Sequence, residues 1–71
     1  MITTETPTWE AAFELFLGLE QETRLILRRA ASAALVAEGA EEVGSSDINH
    51  YLYRRFCAAG SWEEVLIEFA G

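Results

Sequence analysis

Only Gly60 and Ser61 separate two apolar runs of helical period, and so short a joint forces one helix to turn sharply into the next. Upstream, Ile48, Leu52, Phe56 and Ala59 recur at three- and four-residue spacing, the interval that aligns one side of an α-helix. Downstream, Ser61-Trp62-Glu63-Glu64 has the form of a capping box, in which Ser61 and Glu64 satisfy each other's orphan backbone donors. Trp62, Val65, Leu66 and Phe69 then fall on the inward side of a final helix.

The same period organises the rest of the chain. Trp9, Ala12, Phe13, Phe16 and Leu17 form the buried stripe of a first helix. Its expected entry is Thr6-Pro7, with Thr6 as the cap and Pro7 in the first turn, where a missing N–H costs nothing. Glu10 and Glu14 lie on the other side and suit the positive end of the helix dipole. Gly18 is read as a break, after which a second helix runs from about Glu20 to Glu38 and stops at Gly39. Glu20 and Arg24 are one turn apart in the favourable order. The C-terminal half of this helix, from Ala30 to Ala37, has almost no polar side, as a central helix or a dimer seam requires. Residues 39–44 make a connector, and Ser45, Ser46 and Asp47 offer capping oxygens for a third helix. The predicted fold is all-α: one domain over residues 1–71, with three to four short helices in a compact bundle and residues 1–6 frayed.

A chain of 71 residues buries only about 60% of its unfolded surface, so a monomeric core is marginal. Cys57 is the sole cysteine, which leaves no intramolecular disulfide to help. Half of the residues are apolar, a generous supply for so small a body, and the bundle is therefore expected to be completed as a homodimer. No stretch reaches the ~20 apolar residues of a membrane span, and the N-terminus lacks the basic and apolar regions of a signal peptide. An unpaired thiol fits a reducing compartment, so a cytoplasmic location is expected. All five bases are Arg and eleven residues are Ala, a bias that suggests a GC-rich bacterial or phage coding sequence.

Groups able to do chemistry are scarce: one His, one Cys and no Lys. His50, Tyr53, Arg54 and Cys57 share a helix face, but seven helical residues separate His50 from Cys57 by about 10 Å, too far for a nucleophile and its base. His50 and Cys57 lack the paired spacing of a zinc site, and Glu41, Glu42 and Asp47 lack that of a calcium loop. No Gly-rich phosphate loop is present. The expectation is a non-enzyme without cofactor or metal.

What the sequence does offer is surface. The third helix carries Asn49, His50, Tyr51, Tyr53, Arg54 and Arg55, and Tyr and Arg dominate binding hot spots. A net charge of −7 disfavours nonspecific attraction to phosphate and makes nucleic acid an unpromising partner. It also keeps an apolar little protein soluble. The stretch from Tyr53 to Leu66 (Tyr-Arg-Arg-Phe, Ala-Gly, Trp-Glu, Leu) resembles a helix–corner–helix element near the N-terminus of some insertion-sequence transposases, and implies the corner without an activity. The favoured function is stoichiometric protein binding by a small acidic regulator or inhibitor of a larger protein. Compact anti-CRISPR and anti-restriction proteins are analogous in size and charge. If the target handles nucleic acid, Glu10, Glu14, Glu38, Glu41 and Glu42 could stand in for phosphates. The alternatives are a DNA-binding regulator reading with Asn49, His50, Arg54 and Arg55, and a structural adaptor that completes another protein's bundle.

Overall fold

Glycine and short polar caps cut the described residues into four helices, within the three to four that the sequence predicts. The computed structural model describes residues 8–70, with α1 at Trp9–Leu17, α2 at Gln21–Ala37, α3 at Ser45–Ala59 and α4 at Trp62–Ala70. The expected entry at Thr6-Pro7 and the fraying of residues 1–6 lie outside the described residues. The cap of α1 is Thr8, whose Oγ1 accepts the Ala11 N–H at 3.1 Å.

Each stop has a local cause. Gly18 follows α1 in ordinary right-handed geometry, and the break is completed at Glu20, whose backbone is extended and caps α2. Gly39 ends α2 at a φ of 104°, a left-handed conformation that favours glycine. There Ala40 N–H donates to the Leu35 carbonyl and Gly39 N–H to that of Val36, the paired bonds of a Schellman stop. Gly44 caps α3, and the Gly44 N–H donates to Asp47 Oδ2 at 3.0 Å; Ser45 and Ser46 sit inside the first turn rather than capping it.

The corner between α3 and α4 forms as the two-residue joint requires. Gly60 takes a φ of 96°, and Ser61 Oγ accepts the Glu64 N–H at 3.3 Å, the Ser half of the expected capping box. Nothing crowds a β-carbon at Gly60, so Gly60→Ala is penalised by backbone strain alone, about 1–2 kcal/mol. Thermal denaturation followed by circular dichroism should show a midpoint several degrees lower.

The core collects around Trp62. Ala12, Phe16, Leu27, Ala31, Leu52, Phe56, Trp62 and Val65 are buried, so every helix contributes. The Trp62 ring lies 4.6 Å from that of Phe56 and 5.0 Å from that of Phe16, centroid to centroid. Its indole Nε1 donates to the Ala12 carbonyl at 2.9 Å, a buried bond that ties α4 to α1 across 50 residues. Ala12 and Ala31 are wholly enclosed, where only a small side chain permits close helix approach.

Three expectations are corrected by this packing. Of the two roles expected for α2, the central one falls to α3, which packs against α1, α2 and α4, whereas α2 meets chiefly α3 and α4. Leu17 does not join the α1 stripe but is 66% exposed, and Trp9 is 42% exposed at its edge. For Leu17 and Trp9 the physical reason is shared: periodicity identifies a helix side, but burial requires a neighbour, and α1 meets α3 along one side only. The inward set of α4 is as expected, with Trp62 and Val65 buried and Leu66 and Phe69 packed against the core.

Candidate functional site

Most of the hot-spot residues on α3 are engaged within the fold. Asn49 is half-buried, and its Oδ1 accepts from Arg28 Nη1 at 2.9 Å, joining α3 to α2. Arg55 pairs with Glu68 of α4, and its guanidinium lies 5.8 Å from the Phe69 ring centroid. Tyr51 stacks on Phe69 at 6.4 Å. These side chains lock α2, α3 and α4 together. The four residues expected to read DNA are consequently divided, because Asn49 and Arg55 are occupied by protein partners.

Tyr53 belongs to another side of α3. Its ring lies 5.1 Å from that of Trp9, which also lies 6.4 Å from the His50 imidazole. The Tyr53 hydroxyl donates to the Cys57 sulfur, and this bond, with some desolvation, holds the phenol above its ordinary value of 10.0. A raised acid pKa means that the fold favours the neutral phenol. This contribution is complete below pH 10.0 and is lost as the pH rises through the folded-state value. Cys57→Ala should return the Tyr53 titration towards 10.0, as checked by tyrosinate absorbance against a Tyr53→Phe control.

The remaining expected residues fall into two places. Glu38, His50, Tyr51 and Arg54 meet with Leu35, Ser46 and Asp47 along an open groove of about 370 Å³, where both signs of charge are present. Glu10 and Glu14 are exposed on α1, and Glu41 and Glu42 are exposed in the connector. Among the described residues no group of three or more His, Cys, Asp or Glu is placed to hold a metal ion, and no helix is long and apolar enough to cross a membrane.

The distinctive surface lies elsewhere, around the end of α1 and the outer side of α2. Leu25 is 46% exposed, Ile26 49% and Val36 57%, and Leu17 shares a groove with Leu25. Phe16, Leu17, Gln21, Arg24, Leu25 and Arg28 line a groove of about 330 Å³ between the two helices, with no acidic residue among them. Arg24 Nε is buried there without a hydrogen-bond partner. Sequence reasoning missed this face. Its available signal was the unbroken run Leu25-Ile26-Leu27, in which one helix side cannot hold all three residues.

No protein-family model matches the chain, and no curated protein or solved structure is significantly similar to it, the transposase-like stretch included.

Proposed function

We propose that this protein acts by stoichiometric protein binding through the α1–α2 face, as a small non-enzymatic regulator or inhibitor of a larger protein. The observation that carries this reading is the exposure of Leu17 and Leu25 at one groove, in a chain that has few large side chains fully enclosed. Apolar side chains gathered beside a groove mark protein contact, because covering them removes apolar area from water at roughly 25 cal/mol per Å². Arg24 and Arg28 at the same groove add directed donors, the usual companions of apolar anchors in a hot spot.

The acidic remainder of the surface serves solubility and steers the protein to partners with basic rims. On this reading the molecule is cytoplasmic and of phage or bacterial type, and it self-associates when its target is absent. The test is an affinity pull-down from nuclease-treated source extract, run with the native chain and with Leu25→Glu. One stoichiometric protein retained by the native chain and lost by the variant is the expected result. Retention of the same protein by both would remove this face from the account, and a partner recovered only when nuclease is omitted would favour a nucleic-acid partner.

A further inference from the structure

We infer that, in the absence of another partner, the α1–α2 groove receives α4 of a second copy of this chain. This rests on the reading above, since it names an occupant for the same face. The argument is one of matched chemistry on two surfaces of the same molecule.

The groove is apolar at Phe16, Leu17 and Leu25 and basic at Arg24 and Arg28. A guanidinium carries five N–H donors. Arg28 commits one to Asn49, and Arg24 leaves its Nε buried and unbonded. Among the described residues no carboxylate pairs with either Arg. The groove therefore fits an apolar anchor flanked by carboxylates.

α4 presents that combination. Ile67 is 61% exposed, although it lies in the helix that supplies Trp62 and Val65 to the core. Glu63 and Glu64 precede it by four and three residues, so both bracket Ile67 on one helix face. Both are exposed, and neither carboxylate is paired among the described residues. Glu63 also lies beside Leu15, itself 60% exposed, at a second groove that runs to the α3–α4 corner. Ile67 would fill the space between Leu17 and Leu25, with the two carboxylates reaching Arg24 and Arg28.

Leu15 and Leu17 project about 200° apart around α1, so the basic groove and the acidic surface lie on different flanks of the molecule. The contact is accordingly head-to-tail, the groove of one copy taking α4 of the next. The charge of −7 opposes approach at long range. At 0.15 M salt that repulsion is screened beyond about 8 Å, whereas charges in contact are screened much less.

Sedimentation equilibrium at 0.15 M salt across a wide concentration range tests this contact. The native chain should rise above its monomer mass of 7.9 kDa as concentration increases. Arg24→Glu and Glu64→Arg should each weaken association by about tenfold or more, because each sets like charges against one another. An equal mixture of the two variants should associate again, since every contact then joins opposite charges. Glu64 is exposed, so Glu64→Arg reports on the contact even if Arg24→Glu perturbs the fold. A native chain that stays monomeric throughout overturns the inference, as do variants that associate like the native chain. A monomeric native chain whose extract partner is still lost on Leu25→Glu would sink this contact while leaving the protein-binding reading intact.

Discussion

Trp62→Ala is expected to be among the most destabilising single substitutions in this protein. Truncating a buried Trp costs about 3–5 kcal/mol, and a domain of this length has only about 4–10 kcal/mol of stability to lose. Two effects add at this position. The indole fills the space between Phe16 and Phe56, so its loss opens a cavity shared by α1, α3 and α4. Its Nε1–H also satisfies the Ala12 carbonyl, and that bond is the buried link between the first helix and the last. Trp62→Phe separates the two effects, since it retains most of the apolar volume and removes the donor. It should cost less than Trp62→Ala by 1 kcal/mol or more, as read from urea denaturation midpoints with unchanged slopes.

The second large effect is a contrast between positions two residues apart on α2. Leu27 is completely enclosed and Leu25 is not. Leu27→Ala should destabilise by about 2–5 kcal/mol, because the tightly packed surroundings cannot fully collapse onto the gap. Leu25→Glu should change stability by no more than about 0.5 kcal/mol, since the site is solvated and Glu is a good helix former. Binding should respond in the opposite sense. Leu25→Glu removes an anchor and places a carboxylate beside Arg24 and Arg28, so it should abolish partner capture while leaving thermal stability nearly unchanged. A Leu25→Glu protein that is as unstable as Leu27→Ala would show that Leu25 is structural, and the docking face would lose its principal residue.

Much of the architecture is legible in the residues because local rules and packing agree. Leu52 and Phe56 lie on a stripe that has helices on several sides, so the period alone locates them in the core. Gly39 and Gly60 end their helices in the left-handed region that glycine reaches without strain, so composition locates both stops. Leu17 and Trp9 mislead because they share a stripe with Phe16 and Phe13 but are not enclosed: Trp9 meets α3 at the edge of the bundle only, through Tyr53 and His50, and Leu17 lies 66% exposed. The starts of α1 and α3 depend on which of several neighbouring polar side chains reaches back to the backbone, and Thr6, Thr8, Ser45, Ser46 and Asp47 all have the chemistry for it.

The candidate site was less legible for a related reason. An exposed Leu and a buried Leu are identical in sequence, and the run Leu25-Ile26-Leu27 shows only that some of it must face outwards. The aromatic and basic residues of α3 attract attention as a recognition surface, yet Asn49, Tyr51 and Arg55 are consumed by Arg28, Phe69 and Glu68. Each of these links spans more than a dozen residues, a separation at which pairing follows from the assembled helices and not from local pattern.

The most direct test of the central claim is site-specific photocrosslinking in the source cells. A photoreactive residue is placed at Leu25, at Leu17 or at the exposed control position Glu42, and the adducts are identified by mass spectrometry. The account predicts defined protein adducts from positions 25 and 17 and none from position 42. Equal labelling at all three positions, or adducts formed with nucleic acid, would contradict a protein-docking role for the α1–α2 face.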